Sequence, residues 1–484
     1  MAITITSPVS PDQRTRPRLV LAICCFSLLI VGMDATIVNI ALPSIQRDLD
    51  TSVSALQWTI TAYTVALASL LILGGSTADR FGRARVFKFG LVLFTLASLA
   101  CSVAPSVGWL IGFRVLQGIS GAMLNPVAMS IIRNVFEDPR ERAQAIGIWG
   151  AVIGISMALG PILGGLLVPI SWRAVFLVNI PIGLLAIALT ARFVPESRAP
   201  RARRPDPLGQ VLMIIALASL TSAIIEGPNL GWSSPLTIAL AATAAVSVVV
   251  FVRYELRRAE PLIDPRFFAS RPFAAATVIA VAAFMAFGGF MFVNTLYLQD
   301  VRGLSATSAG LCMLPFATMI VLCSPLSGRV VGVLGVRWPL VIGGLGIGLG
   351  GLMLVSLRAD TPLEWLLFAY GVFGIGFGTV NAPITNTAVS GMPPSQAGVA
   401  AGVASTSRLT GFTLGVAALG SVALAGVDGS LTNQFASASH PTWWLIVALG
   451  AAIVALGFAA STSAAKASAE RTAARLNQEE LATQ

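Results

Sequence analysis

The chain has 484 residues, 56% hydrophobic and 11% charged, with a formal net charge of +10. Soluble domains are nearer a quarter charged, so the composition excludes a water-soluble fold and defines an integral membrane protein. Nucleic acid is excluded as a partner, because the basic residues are scattered through short loops and form no patch interleaved with aromatics.

Fourteen apolar runs are long enough to span a bilayer. They lie at roughly 19–42, 56–76, 85–103, 108–133, 144–167, 173–193, 208–226, 236–254, 273–298, 306–330, 337–357, 364–386, 398–424 and 442–461. The even number puts both termini on one side. Twenty-five of the 31 basic residues fall in the loops and tails of that side. Only Arg47, Arg173, Arg302 and Arg358 fall on the other, which makes the termini cytoplasmic by the positive-inside rule. The expected domains are a cytoplasmic tail (1–18), a six-helix bundle (19–193), a linker carrying two extra spans (194–272), a second six-helix bundle (273–461) and a charged cytoplasmic tail (462–484). Arg14, Arg16 and Arg18 resemble a signal n-region, but the run that follows is too long and lacks a small-x-small site, so it reads as an uncleaved first helix.

That first span contains Asp34, within Met33-Asp-Ala-Thr-Ile-Val-Asn-Ile-Ala-Leu-Pro43. A carboxylate near the bilayer centre costs roughly 2.5–3.5 kcal/mol on insertion scales, so it is turned inward, paired or used to carry a proton. After span two comes Gly74-Gly75-Ser-Thr-Ala-Asp79-Arg80-Phe-Gly82-Arg83, a tight helix–helix turn in which Asp79 can cap a helix and the arginines can clamp a neighbour. A weaker copy, Gly328-Arg-Val-Val-Gly-Val-Leu-Gly-Val-Arg337, follows span ten with Gly332 in place of the acid. Span four presents Arg114, Gln117, Gly118, Gly121 and Asn125 on one face. Span five carries a small-residue stripe through Gly150 and Gly154 to Gly160-Pro161-Ile-Leu-Gly164-Gly165, which lets another helix approach closely.

These motifs resemble the major facilitator superfamily. Gly-x-x-x-Asp-Arg-x-Gly-Arg is its loop signature, and Gly-Pro-x-x-Gly-Gly resembles the fifth-helix motif of its antiporters, generally missing from its symporters. Asp34 with its flanks, Gln57-Trp58-Thr-Ile-Thr-Ala-Tyr63 and Trp172-Arg-Ala-Val-Phe-Leu-Val-Asn-Ile-Pro-Ile-Gly183 are similar to the fourteen-helix drug:proton antiporters. The resemblance implies an all-α fold of two six-helix bundles plus two inserted central helices. It also implies that Arg114, in Arg-x-x-x-Gly, takes part in proton transfer with Asp34.

The expected activity is proton-coupled efflux of amphipathic small molecules or antibiotics across the inner (plasma) membrane by alternating access. The alternative is an exporter dedicated to one endogenous metabolite, antibiotic or siderophore. Candidate cavity residues are Trp58, Tyr63, Gln117, Asn125, Phe287, Asn294, Tyr297, Asn381 and Arg408. The aromatics of span nine fit a binding wall or plain helix contact, and Glu226 reads as a snorkelling acid near the outer interface. No cofactor is expected: there is no P-loop lysine for ATP, and Gly346-Ile-Gly-Leu-Gly-Gly351 lies inside a span with no strand before it. Five cysteines without metal-ligand spacing and the lone His440 leave no metal site and no enzyme. Protons, substrate and lipid are the expected partners of a monomer. The arginine bias, with only Lys88 and Lys466 as lysines, suggests a bacterial source.

Overall fold

The computed structural model describes residues 16–199, 206–258, 260–390, 392–393, 396–427 and 431–483. Every regular element among them is helical. Thirteen helices are long and apolar enough to cross a membrane: α1 (Pro17–Leu49), α2 (Val53–Phe81), α3 (Arg83–Ser102), α4 (Val107–Val135), α6 (Ala174–Phe193), α7 (Pro207–Leu230), α8 (Pro235–Glu255), α9 (Arg271–Val301), α10 (Ala306–Leu334), α11 (Arg337–Leu354), α12 (Leu363–Val389), α13 (Gly398–Leu424) and α14 (Gln434–Ala460). The fourteenth expected span is α5 (Pro139–Leu167), whose described apolar part is Ile155–Leu167. Gly150 and Gly154 lie in the part of α5 outside the described side chains.

Local chemistry sets the helix starts. Proline stands in the first turn of α1, α7 and α8, where its missing N–H costs nothing. Ser52 accepts from the Ala55 amide at 3.3 Å, and Asp206 from that of Gly209 at 3.0 Å. Exposed tryptophans Trp109, Trp232, Trp338 and Trp365 stand at or beside helix ends, the positions that interfacial aromatics favour.

The packing repeats with a shift of eight helices. Helix α1 packs on α5 as α9 packs on α13, α2 on α4 as α10 on α12, and α3 on α6 as α11 on α14. The halves meet where α2 touches α13 and α5 touches α10. At the end opposite the termini, side-chain amides and hydroxyls reach across that seam. Gln57 donates to the Val416 and Ala417 carbonyls (3.1 and 3.3 Å), Gln299 to that of Ile40 (2.9 Å) and Thr307 to that of Gly165 (2.7 Å). Val416 and Ala417 lie in a π-helical turn, Gly415–Leu419, whose widened ladder leaves carbonyls to outside donors.

The inserted α7–α8 hairpin leans on α2. Gln210 bonds the Ser69 carbonyl, Trp58 donates its indole N–H to Glu226 Oε1 at 2.9 Å, and Asn229 donates to Ser54 at 2.6 Å. Glu226 is therefore not simply snorkelling: it is tied to α2. At the hairpin's base, Asp206 accepts from Tyr254 at 3.1 Å, and Glu255 from the Leu262 amide at 2.6 Å. Their other oxygens, Asp206 Oδ2 and Glu255 Oε1, are buried without a hydrogen-bond partner and both lie beside Gly209.

Two stretches differ from expectation. The segment after Thr462 is a helix, α15 (Ser463–Thr483), whose Ala465, Ala469 and Leu476 are buried and whose Ser468 accepts from the Arg271 amide at 3.0 Å. An apolar stripe among its charges makes this docking possible. The α3 N-terminus is capped by Glu196 rather than Asp79, accepting from Ala84 and Arg85 at 3.1 and 3.2 Å.

Candidate functional site

Asp34 lies midway along α1 and is fully buried. Five of the first six spans converge on it. Arg114 of α4 forms an ion pair with Asp34 Oδ2, both side chains having no exposure. One helical turn on, Gln117 donates to Asp34 Oδ1 at 3.2 Å, and Asn179 of α6 donates to the same oxygen at 2.9 Å. The carboxylate thus has one charged and two neutral donors, the number a desolvated anion needs.

The cation is held as firmly. Arg114 Nε donates to the Thr59 carbonyl of α2 at 3.0 Å, and Nη1 also reaches Gln117 Oε1 at 2.9 Å. Its guanidinium carbon lies 4.2 Å from the Tyr63 ring centroid and 5.8 Å from that of Phe176. Tyr63 is itself anchored to the Val31 carbonyl at 3.1 Å, and Gln117 to Ser98 of α3 at 2.8 Å. Two polar atoms here, Arg114 Nη2 and Asn179 Oδ1, are buried without a partner.

The site touches the α5 stripe through α1. Thr36, two residues beyond Asp34, donates to the Met157 carbonyl at 3.1 Å. A Cβ on Gly160 would sit 2.8 Å from the Ile37 nitrogen and collide with the Thr36 hydroxyl, so only glycine permits this approach. Beyond Pro161, a Cβ on Gly165 would lie 2.9 Å from the Ala306 carbonyl oxygen of α10, and one on Gly164 3.0 Å from the Ile37 carbonyl oxygen. Two faces of one helix therefore abut α1 and the opposite half.

Other expected residues are dispersed. In the α2–α3 turn Asp79 pairs with Arg83 at 2.9 Å, and Gly82 takes a φ of +112°, which favours glycine. Gly75 faces Pro126, and Arg80 lies over the Phe81 ring at 5.7 Å. Gln117 and Tyr63, expected in a cavity, belong to the Asp34 cluster. Phe287, expected in a cavity wall, is fully buried and stacked on Phe377 at 4.3 Å, because α9, α10 and α12 close around it. Asn294 is buried, accepting from Tyr370 at 2.6 Å, and Tyr297 bonds the Arg358 carbonyl at 2.6 Å. Trp58 is at the hairpin seam, and Asn125 at the break in α4 has a buried, unpartnered Oδ1. Arg408 and Asn381 stand together. Sequence reasoning missed Asn179, Ser98 and Thr59 as site members. Asn179 was visible only as a polar residue in an apolar motif, and Thr59 acts through its carbonyl, which no side-chain pattern reveals.

Thirteen apolar helices of spanning length among the described residues, packed as two matching halves with a buried ion pair inside the first, define a membrane transporter, not an enzyme. The comparisons agree. A profile of the Major Facilitator Superfamily matches residues 24–416, and the chain belongs to that superfamily. Multidrug resistance protein Stp of Mycobacterium tuberculosis is 39% identical over 406 residues, covering 84% of this chain and 75% of Stp. The tetracenomycin C resistance and export protein of Streptomyces glaucescens is 36% identical over 430 residues (88% of this chain, 80% of the relative). The puromycin resistance protein pur8 of Streptomyces alboniger is 38% identical over 432 residues (88% and 85%). In fold the chain is similar to a bacterial homolog of the human lysosomal transporter Spinster, crystallised inward-facing and unoccupied. The TM-score is 0.63 over 96% of this chain and 99% of that one, at 18% identity.

Proposed function

We propose that this protein exports amphipathic drugs or antibiotics across the bacterial inner membrane in exchange for protons, working as a monomer with both termini cytoplasmic. The observation that carries the coupling is Asp34. It is a fully buried carboxylate in the middle of the N-terminal half, paired with Arg114 and packed directly before the α1–α5 contact. The names of the relatives supply the drug-resistance part of the reading, and the basic loops supply the orientation.

The chemistry of the site fits a proton carrier. With Asp34 ionised, Arg114, Gln117 and Asn179 all donate to it. An amide can serve either state, donating to a carboxylate or, turned over, accepting from a carboxylic acid. Asn179 Oδ1, buried and unpartnered, is suited to the second role. Protonation removes the charge that Arg114 neutralises, so the ion pair gives way and α1 is free to shift against α5. In the proposed cycle drug binds from the cytoplasm while Asp34 is ionised. A proton from outside then drives drug release and the return. The proton motive force contributes about 2.3 kcal/mol per charge per 100 mV.

Two relatives carry the name of a single compound, which keeps a dedicated exporter as the second reading. Expression in a pump-deficient strain, with a compound panel and a protonophore control, tests both. Protonophore-sensitive resistance to unrelated compounds is expected. Resistance to one compound selects the dedicated exporter, and resistance that persists with protonophore overturns proton coupling.

A further inference from the structure

Two arginines lie in mid-span, and they are satisfied very differently. Arg114 has a carboxylate, a carbonyl and an amide. Arg408 of α13 has only the Asn381 carbonyl at 3.4 Å and the Thr385 hydroxyl, both on α12. Its Nε is buried with no partner, and among the described residues no carboxylate pairs with it. A guanidinium stays charged in any protein environment. Removing it from water costs several kcal/mol, which two neutral oxygens do not offset.

Snorkelling does not resolve this. Arg408 is ten residues into α13, about 15 Å from its nearer end at 1.5 Å per residue. Its surroundings point it inward. Gly411 abuts α9, where a Cβ would lie 2.8 Å from Val281 Cα, and Thr413 bonds Thr64 of α2 at 2.7 Å. Arg408 reaches across to α12 of the same half, where its guanidinium meets the Asn381 carbonyl and the Thr385 hydroxyl. Thr385 beside it is exposed, so protein does not close the place off. Among the described residues the Asn381 side-chain amide makes no hydrogen bond, and its main-chain carbonyl is the atom that accepts from the guanidinium. Asp34 is engaged by Arg114, and Glu226 by Trp58 on the hairpin side of α2.

We propose that Arg408, with the Asn381 amide and the Thr385 hydroxyl, anchors an anionic group of the transported molecule: a carboxylate, sulfonate or phenolate. This rests on the export reading and names the substrate class for it. An anion supplies the missing counter-charge and can accept from Nε and the Asn381 amide together, a charge-assisted arrangement of the strong kind. The rest of an amphipathic molecule then lies along the apolar helix faces of the seam.

A matched probe pair tests the site in the purified full-length protein: anilinonaphthalenesulfonate, and phenylnaphthylamine, which lacks the sulfonate. Fluorescence titration should show tighter binding of the sulfonate. Arg408→Gln should weaken the sulfonate about tenfold or more, the loss expected for one charged hydrogen bond, and leave the neutral probe unchanged. Arg408→Lys should retain part of the preference. Asn381→Ala and Thr385→Val keep the guanidinium and guard against a misfolded Gln variant; each should weaken the sulfonate alone. Equal loss of both probes in the Asn381 and Thr385 variants, or no sulfonate preference in the wild type, overturns the anchor. Energy-dependent efflux separates the two readings. Sulfonate binding without efflux of any compound removes the export reading and leaves the anchor; efflux of neutral and cationic compounds without sulfonate binding does the reverse.

Discussion

Asp34 and Arg114 are each costly to leave alone at this depth. Removing one partner of a buried pair leaves an uncompensated charge, at about 3–5 kcal/mol, whereas removing both can be nearly neutral. Arg114→Gln alone should therefore lower the melting temperature in detergent, and Asp34→Asn combined with Arg114→Gln should recover much of it. Neither variant should release protons when drug is added to energised vesicles. A double variant that still exchanges protons for drug would remove Asp34 from the coupling step. Asn179→Ala tests the neutral donors: the protein should fold, and drug-driven proton release should fall about tenfold. Asp34 and Arg114 were each legible in the sequence as charges out of place, but their contact was not, because they are 80 positions apart on helices whose relative rotation no local pattern determines.

At the scale of the helix, α5 links the stretch of α1 just beyond Asp34 to the opposite half. Its Gly160 face abuts Thr36 and its Gly165 face abuts α10. Gly160→Leu should push α1 and α5 apart, an overpacking cost of about 1–3 kcal/mol. Resistance should fall even where the protein accumulates in the membrane; unchanged resistance would reduce the stripe to ordinary packing. The inserted hairpin offers a second test. Asp206 Oδ2 and Glu255 Oε1 share one buried spot, where a single proton between them satisfies both. Glu255→Gln supplies that hydrogen itself and should leave stability near wild type. Glu255→Ala leaves the Leu262 amide without its acceptor and Asp206 Oδ2 with only the Arg258 ion pair at 3.7 Å, and should cost about 1–3 kcal/mol in a thermal melt. The helices themselves were largely legible, since fourteen runs of spanning length lie where helices stand. The α15 segment was not, because short alanine-rich stripes between charges read equally as solvated chain.

Over the whole molecule, the eight-helix shift in packing makes the two halves counterparts, yet among the described residues only one holds a carboxylate–arginine pair in its middle. The other half offers a lone arginine and an aromatic core in which Phe290 stacks on Phe373 at 4.2 Å. On the proposed reading one half handles the proton and the other contacts cargo; which polar atoms end up satisfied in each half was out of reach of sequence reasoning.

The bonds that close the far end share a property with evolutionary weight. Every donor across the seam there is a side chain, and the acceptors at Ile40, Gly165, Val416 and Ala417 are main-chain carbonyls. A carbonyl cannot be mutated away. Tolerance to substitution should therefore be one-sided. In a saturation library selected for resistance, Gln57, Gln299 and Thr307 should accept few replacements, while Ile40, Val416 and Ala417 should accept apolar residues of similar size. A chain clasped in this way can vary half of the surface at that end freely and keep these bonds intact.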